Sequence, residues 1–354
     1  MNAHRSFFIT GFPGFIASRL VQKLAGQGGE FHLLVEPRFA ANAQAIARKL
    51  SSHYPDAKFS VVTGDITKPG LAIETKSADK IRAEVRTVYH LAAIYDLDVK
   101  REPAMLVNVT GTKNVNDFVA TLENPERYNY ISTCYVAGLR RGRILESELE
   151  HNAGFRNFYE ESKYLAELSV EQLKPDLPIT IFRPSVVVGD SVSGETAKYD
   201  GIYYLIRYLA RSPQFLRLVN VGNNRVRLNL VPVDFVVDSM TALDGDSSVT
   251  SKTLALADPN PLTTAELFDV IAENLSGKRA LLMPPPSLVK FALSLPLSPM
   301  ITGLPHSGVP YFFIEQEYDT SIANALLSKY GIKCPPFNSY AGAIIDFVRR
   351  NPKL

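Results

Sequence analysis

A glycine-rich turn near the start of the chain most restricts what this sequence can fold into. The run Thr10-Gly11-Phe12-Pro13-Gly14-Phe15-Ile16-Ala17 follows a short apolar segment, and apolar side chains then recur at helical spacing over residues 15–25. Glycine in such a turn supplies a positive φ and lets another group approach the backbone closely. The helix that follows offers free N–H groups to phosphates. Taken alone, an ordinary strand–helix turn is the alternative to a dinucleotide site.

Apolar strands and helices alternate through the first half of the chain. The pattern predicts strands at residues 6–10, 31–35, 59–62, 85–91, 128–132 and 179–182, and helices at 15–25, 40–50, 103–122 and 159–173. This alternation is typical of an α/β protein with a doubly wound Rossmann sheet that is parallel and covered on both faces.

The rhythm changes after Arg183-Pro184. A loop rich in Gly, Ser and Thr is followed by predicted helices at 202–210, 263–275, 322–329 and 340–349, with strands at 228–231 and 254–256. We therefore predict two domains. A dinucleotide-binding domain would comprise residues 1–188 and 228–257, and a smaller, partly discontinuous substrate domain would comprise residues 189–227 and 258–354.

Charge and cysteine content exclude several classes of protein. The 354 residues contain 38 Lys and Arg against 36 Asp and Glu, so no basic excess favours nucleic acid. Cys134 and Cys334 cannot form a disulfide framework or a structural zinc site, and no metal site is predicted. The most apolar stretch, residues 287–305, contains Lys290 and three prolines, which argue against a membrane span. A cytoplasmic location is the expectation.

Tyr159 and Lys163 stand four residues apart on one face of a predicted helix. A nearby lysine cation stabilises a phenolate and so lowers the pKa of a tyrosine, which makes it a competent proton donor and acceptor. The spacing also occurs by chance. Ser132 and Thr133 end the preceding strand, at the sheet edge where parallel sheets bind ligands, and a hydroxyl there can polarise a carbonyl group.

Eight motifs occur in the order found in the extended short-chain dehydrogenase/reductase superfamily, and the sequence resembles that superfamily over nearly its whole length. They are TGFPGFIA, GDIT, YHLAA, NVTGT, ISTCYVAG, YEESK, FRPSVVVGD and LNLVPVDFVVD. The resemblance implies that Tyr159 is the general acid/base and that Lys163 binds the nicotinamide ribose. It also implies that Thr133 contacts the substrate carbonyl and that Asn108 is the active-site asparagine.

The turn and the resemblance together assign residues to the cofactor. The residues expected to contact it are Thr10, Gly11, Phe12, Pro13, Gly14, Phe15, Ile16, Glu36, Arg38, Asp65, Ile66, Leu91, Ala92, Ala93, Asn108, Ser132, Tyr159, Lys163, Pro184, Ser185 and Val187. Glu36 would bind the ribose hydroxyls of NAD(H), whereas Arg38 would hold the 2′-phosphate of NADP(H). We favour NADP(H) slightly, with NAD(H) as the alternative.

Within the superfamily, STCYVAG and RPSVVVGDSVSGET resemble the male-sterility branch, which includes fatty acyl-CoA and thioester reductases. Glu36 departs from the arginine usual there. The apolar runs at residues 281–283 and 288–304 favour an apolar aldehyde, acyl thioester or sterol-like substrate, and leave peripheral membrane contact open. Arginines that could bind a nucleotide sugar are Arg207, Arg211, Arg217, Arg225 and Arg227. An epimerase or dehydratase, a non-catalytic dinucleotide sensor, and a homodimer therefore stay open as alternatives.

Overall fold

A seven-stranded parallel sheet forms the centre of the molecule. The computed structural model describes residues 5–211, 218–298 and 306–353. The strand order in the main sheet is β10-β7-β5-β4-β1-β2-β3, and two smaller parallel pairs, β6 with β11 and β8 with β9, lie outside it. The strands are β1 Ser6–Thr10, β2 Gly29–Val35, β3 Ala57–Thr63, β4 Thr87–His90, β5 Arg127–Ile131, β6 Gly142–Ile144, β7 Ile179–Pro184, β8 Val186–Val188, β9 Leu230–Pro232, β10 Thr253–Leu256 and β11 Gln316–Tyr318.

Helices connect the strands and cover both faces of the sheet. They are α1 Phe15–Ala25, α2 Ala40–His53, α3 Thr75–Glu84, α4 Arg101–Ala104, α5 Gly111–Val119, α6 Phe158–Glu171, α7 Ile202–Arg211, α8 Val233–Ala242, α9 Thr264–Ser276, α10 Pro286–Ser294, α11 Ser321–Leu327 and α12 Phe337–Arg350. A π-helical stretch, Met105–Thr110, joins α4 to α5. None of the helices within the described ranges has the length and hydropathy that a membrane-spanning segment requires.

Strand β1 is buried on both faces, which explains why its sequence is apolar throughout instead of alternating. Phe7 and Ile9 face a core formed with α1 and α8. Phe8 faces the opposite core, which includes Val115 and Phe118 of α5. The prediction of a parallel α/β Rossmann sheet is therefore confirmed.

A third core lies in the C-terminal half of the chain. Helices α7, α9 and α12 contribute Ile206, Phe268 and Ile344 to it, and all three side chains are fully buried. The strand predicted at residues 228–231 corresponds to β9, Leu230–Pro232, which pairs with β8 outside the main sheet. Arg217 and residues 299–304 of the predicted apolar run lie outside the described residues.

Candidate active site

The turn between β1 and α1 has the geometry expected of a phosphate cradle. Gly11 has a φ of +87°, and a Cβ atom built there would lie 2.8 Å from the Ala92 nitrogen. Gly14 precedes α1, and within the described part of the chain no side chain caps this helix start. The turn therefore requires glycine at position 11, and the first N–H groups of α1 are free of a capping side chain. These features fit a dinucleotide pyrophosphate.

A buried hydrogen-bond chain fixes this turn to the end of β4. The Ala92 N–H donates to the Thr10 hydroxyl at 3.1 Å, and Thr10 Oγ1 lies 2.7 Å from His90 Nδ1. His90 Nε2 lies 3.0 Å from Thr112 Oγ1 on α5. Burial, together with the Lys163 cation, lowers the pKa of His90 to about 3, so the imidazole is neutral. His90 therefore links the glycine turn and α5 to the end of β4.

Glu36 and Arg38 lie just beyond the end of β2, as predicted. They form an ion pair with each other, in which Arg38 Nε lies 2.8 Å from Glu36 Oε2. Both side chains are well exposed, and the Arg38 guanidinium lies over the Phe39 ring. Glu36 and Arg38, the two residues expected to contact the adenosine ribose, therefore pair with each other, and the charge of each is partly balanced by the other.

The remaining residues predicted for the adenosine side lie in the loop after β3. Asp65 Oδ1 accepts hydrogen bonds of 2.8 Å from the backbone and the hydroxyl of Thr67, so this carboxylate closes its own turn. The Ile66 side chain contacts Gly111 at the start of α5, where a Cβ atom would lie 2.8 Å from Ile66 Cδ1. Asn114 donates a hydrogen bond of 2.7 Å to the Ile66 carbonyl.

Thr133 and Tyr159 come together at the carboxyl edge of the sheet. Thr133 follows β5, and its hydroxyl accepts a hydrogen bond of 3.2 Å from the Tyr135 N–H. The Thr133 side chain also lies near the Tyr159 hydroxyl and lowers the pKa of that phenol. Burial has the larger effect and raises the pKa of Tyr159 to about 12. Tyr159 is therefore protonated at neutral pH.

Lys163 lies one helical turn beyond Tyr159 but binds other partners. Its Nζ donates hydrogen bonds of 2.9 Å to the Tyr130 hydroxyl and 2.8 Å to the Ile131 carbonyl. Burial lowers the pKa of Lys163 to about 7, although nearby Glu167 opposes that shift. The expectation that Lys163 lowers the pKa of Tyr159 is not met here, because burial of the phenol dominates and the Lys163 hydrogen bonds go to β5.

Asn108 is buried in the π-helical stretch and holds two segments together. Its Oδ1 accepts a hydrogen bond from the Ile94 N–H, and its Nδ2 donates to the Ile94 carbonyl and to Ser162 Oγ, each at 2.9 Å. Both amide hydrogens are therefore used. These contacts suit a positioning role, since Asn108 ties the loop after β4 to helix α6.

Ser132 belongs to a buried ionic cluster that the sequence reasoning missed. Its hydroxyl donates a short hydrogen bond to Glu167, whose other oxygen accepts from the Arg183 guanidinium at 2.8 Å. Arg183 also donates to the backbone carbonyls of Glu146 and Glu148. The sequence signal for this cluster is an arginine inside the mostly apolar strand β7, because buried charges need partners. Glu167 fixes α6 to the ends of β5 and β7.

A second buried cluster that was not predicted from the sequence lies at the start of α6. Glu160 is fully buried, and its Oε1 lies 2.8 Å from Arg156 Nη1. Asn157 caps the helix by accepting a hydrogen bond of 3.0 Å from the Glu160 N–H. Tyr311, from the C-terminal part of the chain, also bonds Glu160 and packs its ring 4.7 Å from that of Tyr135. The first turn of α6, which carries Tyr159, is thus fixed both by the residues just before the helix and by the C-terminal part of the chain.

The predicted nicotinamide-contacting stretch lies beside these clusters. Pro184 ends β7, and Val187 lies in β8. The Ser185 hydroxyl donates a hydrogen bond of 2.8 Å to Asn229 Oδ1 within the protein. Leu91, Ala92 and Ala93 follow β4 and are half-buried beside the glycine turn.

A cavity of about 460 Å³ opens beside the start of α6. Its lining includes apolar side chains from three parts of the chain and the charged side chains of Asp98, Arg156 and Glu161. The described residues of the two apolar runs, 281–283 and 288–298, do not line this cavity, and Leu281 and Phe291 are 78% and 64% exposed.

One group of potential metal ligands occurs among the described residues. The ligand atoms of Glu30, His32 and Glu84 lie within 4.8 Å of one another. The group lies near the start of β2, away from the carboxyl edge that carries Thr133 and Tyr159. Lys58 and Lys80 lie 2.9 Å and 3.6 Å from the two carboxylates. Ammonium groups therefore already balance these charges.

Fold and site together define a class of protein. A parallel sheet of this order, with a glycine turn after its first strand and a Tyr-x-x-x-Lys pair on a helix behind its carboxyl edge, is that of an extended short-chain dehydrogenase/reductase. The chain belongs to the male sterility protein family, whose NAD-binding model matches residues 9–240. The predicted superfamily and branch are therefore confirmed.

Individual proteins that are similar to this chain include fatty acyl-CoA reductases. The chain is 25% identical to Fatty acyl-CoA reductase wat of Drosophila melanogaster over 276 residues, which cover 67% of this chain and 53% of that protein. It is also 25% identical to Fatty acyl-CoA reductase 1 of Gallus gallus over 280 residues, covering 67% and 54%. The chain spans about half the length of the curated relatives it matches.

Solved structures share the fold. The terminal R domain of the myxalamid PKS-NRPS pathway superposes with a TM-score of 0.84 at 22% identity, covering 100% of this chain and 92% of that one. UDP-glucuronic acid 4-epimerase from Bacillus cereus, in complex with NAD, gives a TM-score of 0.68 at 18% identity, covering 98% and 100%. At these identities the likeness establishes the fold alone.

Proposed function

We propose that this protein is an NAD(P)-dependent oxidoreductase that reduces the carbonyl group of an apolar aldehyde or acyl thioester. The observation that carries the proposal is the proximity of Thr133 and Tyr159 at the carboxyl edge of the sheet, where the Thr133 side chain lowers the pKa of the phenol. Two neighbouring hydroxyl groups there can both bind one carbonyl oxygen. The nicotinamide cofactor, when bound, supplies the hydride.

Tyr159 can supply the proton that reduction of a carbonyl requires. A carbonyl that accepts a hydride must also gain a proton on its oxygen. Because the pKa of Tyr159 is raised to about 12, the phenol holds its proton at neutral pH and donates it to that oxygen. Lys163, held by Tyr130 and Ile131, would bind the nicotinamide ribose, as the family resemblance implies.

The chain's own residues suit a dinucleotide. The turn at Gly11 and the uncapped start of α1 would bind the pyrophosphate. We propose that NADP(H) is preferred, with Arg38 turning from Glu36 toward the 2′-phosphate, an exchange that its exposed side chain allows. NAD(H), read by Glu36, is the alternative.

Dissociation constants would decide between the cofactors. We expect NADPH to bind more tightly than NADH, Arg38→Gln to weaken only NADPH, and Glu36→Gln to strengthen it by relieving charge repulsion. Lys58→Gln, which removes an exposed cation beyond the site, is the matched control. Tighter binding of NADH by the unmodified protein would reverse the assignment.

The substrate class rests on the family and on the cavity. Relatives named as fatty acyl-CoA reductases support a carbonyl on an acyl chain. We propose that residues 189–227 and 258–354 act as the substrate domain and that the cavity beside α6 receives part of the substrate. The predicted cytoplasmic location and homodimer stay predictions.

Substitution of the phenol tests the reaction directly. Tyr159→Phe should lower turnover by at least about 100-fold while the dissociation constant of the cofactor changes little. Tyr164→Phe is the matched control, because Tyr164 lies on the same helix and its hydroxyl contacts only the backbone of His151 among the hydrogen bonds found for it. Near-normal turnover of Tyr159→Phe would remove Tyr159 from the chemistry.

A substrate series separates the alternatives. For linear aldehydes or acyl thioesters, each added methylene is worth up to about 0.8 kcal/mol, so the specificity constant should rise up to about fourfold per step until the pocket is full. A flat series together with turnover of a nucleotide sugar would favour an epimerase. Tight cofactor binding without any change in nicotinamide absorbance, across alcohols, aldehydes and thioesters, would favour a sensor.

A further inference from the structure

Helix α10 and the segment before it expose an unusual amount of apolar surface. Helix α10 carries Leu288, Val289, Phe291, Ala292 and Leu293, yet only Val289 among its residues is buried. A helix that is apolar on most sides is normally covered. Seven large apolar side chains between residues 281 and 297 are 45% to 78% exposed, namely Leu281, Leu282, Met283, Leu288, Phe291, Leu295 and Leu297. We call these seven residues the apolar patch.

The backbone under the patch is firmly attached to the rest of the protein. The Leu281 and Leu282 N–H groups donate to the Leu218 carbonyl at 2.8 Å and 3.0 Å, and the Asn220 N–H donates to the Leu282 carbonyl at 2.7 Å. Met283 Sδ lies 3.6 Å from Asn224 Nδ2. The apolar side chains at this end are therefore held outward on a fixed backbone.

Leu288 and Phe291 lie on one side of α10, three residues apart, and Leu295 follows the helix four residues later. This spacing puts the three side chains along a single stripe. Val289 anchors the opposite side of the helix in the protein. The stripe and residues 281–283 are thus parts of a surface that presents its apolar side to the surroundings, and such surfaces mark interaction sites.

The charge around the patch indicates what covers it. No Asp or Glu occurs from residue 274 to residue 314, whereas Lys278, Arg279 and Lys290 lie within that stretch. Lys278 and Lys290 are exposed, and Lys290 Nζ lies 6.0 Å from the Phe313 ring centroid. Arg279 pairs with Glu273, just before the stretch. Exposed apolar side chains with exposed cations beside them complement an anionic bilayer surface.

We propose that the apolar patch inserts into the interfacial layer of an anionic lipid bilayer, with Lys278 and Lys290 contacting lipid phosphates. The protein would lie on the membrane and not cross it. The proposal does not depend on the reaction assigned to Tyr159.

Co-sedimentation of the full chain with vesicles tests the proposal. One set of vesicles contains phosphatidylcholine and phosphatidylglycerol at 7:3, and the other contains phosphatidylcholine alone. We expect binding to the anionic vesicles and much weaker binding to the neutral ones. The Leu281→Ser/Phe291→Ser double variant should lose at least about tenfold in partition coefficient, since each side chain would leave the apolar phase.

Charge variants separate the electrostatic part. Lys278→Gln and Lys290→Gln should each weaken binding to anionic vesicles by about fivefold, and scarcely change binding to neutral vesicles. Lys49→Gln and Lys76→Gln, two exposed lysines elsewhere, are matched controls, as is Val192→Ser, which removes an apolar side chain that is 86% exposed. Circular dichroism and thermal unfolding verify that each variant is folded.

Three results would overturn the proposal. The first is no binding of the folded protein to either kind of vesicle. The second is equal binding to both kinds, which would remove the role of the cations. The third is a dimer, seen by analytical ultracentrifugation, that dissociates in Leu281→Ser/Phe291→Ser while no vesicles are bound; a second copy of the chain would then cover the patch.

Discussion

The Tyr311 hydroxyl donates a hydrogen bond of 2.6 Å to the buried carboxylate of Glu160, although the two residues are 151 positions apart in the chain. Glu160 directly follows Tyr159 on α6. Asn157, the residue that caps this helix, donates a further hydrogen bond of 2.9 Å to the Tyr311 hydroxyl. The C-terminal part of the chain therefore holds the turn of helix that carries the proposed acid.

Removal of that hydroxyl should affect both stability and turnover. In Tyr311→Phe, the Glu160 carboxylate loses one donor, and the free energy of unfolding should fall by about 1.5–3 kcal/mol, as for a hydrogen bond to a charged group. Turnover should fall more than the affinity for substrate, because the orientation of Tyr159 changes. Urea unfolding and steady-state kinetics measure the two effects.

The matched control is Tyr330→Phe. Tyr330 bonds Asp246 at 3.0 Å, but its side chain is 45% exposed, so water replaces the lost partner. We expect a loss below about 1 kcal/mol there. Equal losses in the two variants would contradict a special role for the buried pair.

The glycine at position 11 should be essential for cofactor binding. In Gly11→Ala the new Cβ would lie 2.8 Å from the Ala92 nitrogen in a backbone conformation with φ of +87°. The turn must shift, so the dissociation constant of the cofactor should rise at least about tenfold, and stability should fall by about 1 kcal/mol or more. Fluorescence titration with NADPH and NADH measures the first effect.

Gly245→Ala provides the comparison, because a Cβ there would meet open space and no left-handed φ is needed. It should leave the dissociation constant unchanged. A normal cofactor affinity in Gly11→Ala would show that the turn does not hold the pyrophosphate.

Lys163 should make stability depend on pH. Its pKa in the folded protein is about 7, below the ordinary value of 10.5, so the unfolded chain binds more protons between these two pH values. The cost of the buried charge is fully present below pH 7 and is relieved as pH rises. The stability of the unmodified protein relative to Lys163→Met should therefore increase above pH 7, by up to about 1.4 kcal/mol per pH unit.

Urea unfolding of both proteins between pH 6 and pH 9 tests this. Lys113→Met is the control, because Lys113 is exposed and pairs with Asp117 at the surface. Its difference curve should be flat over the same range. A flat curve for Lys163→Met would mean that Lys163 keeps its ordinary pKa.

The buried pair of Glu167 and Arg183 should contribute strongly to stability. Glu167→Gln leaves the Arg183 guanidinium buried without a counter-charge, and the free energy of unfolding should fall by about 3–5 kcal/mol. Asp117→Asn, which breaks the exposed pair with Lys113, should cost at most about 0.5 kcal/mol. If urea unfolding gave comparable losses in the free energy of unfolding for the two variants, burial would add nothing to the contribution of the Glu167–Arg183 pair.

Local pattern was sufficient for much of the fold. The predicted bounds of β1 and α1 coincide with the observed ones, Ser6–Thr10 and Phe15–Ala25. Apolar runs that are buried on both faces, helical spacing and a glycine turn are all properties of neighbouring residues, so a sequence displays them directly. Helix α3, Thr75–Glu84, was not predicted, because it is rich in charge and buries only Ala78 and Ile81.

The composition of the candidate site could also be read from the sequence, but not its contacts. Thr133 and Tyr159 were expected to lie together because both belong to motifs at the carboxyl edge of the sheet, and in the structure their side chains lie close to each other. The partners of Lys163 could not be foreseen. Tyr130 and Ile131 reach it only because α6 packs behind the end of β5.

The sequence by itself determined most strands and helices of the sheet, the family and the types of residue at the carboxyl edge, since these depend on periodicity and on motifs a few residues long. Tertiary structure alone decided which charged groups are buried and which residues they contact. Glu167 meets Ser132 and Arg183 across 35 and 16 positions, and Glu160 meets Tyr311 across 151. Burial removes water from these groups, and the pKa of Tyr159 or Lys163 then follows from the loss of solvation and the nearest charges, which only the assembled layers define.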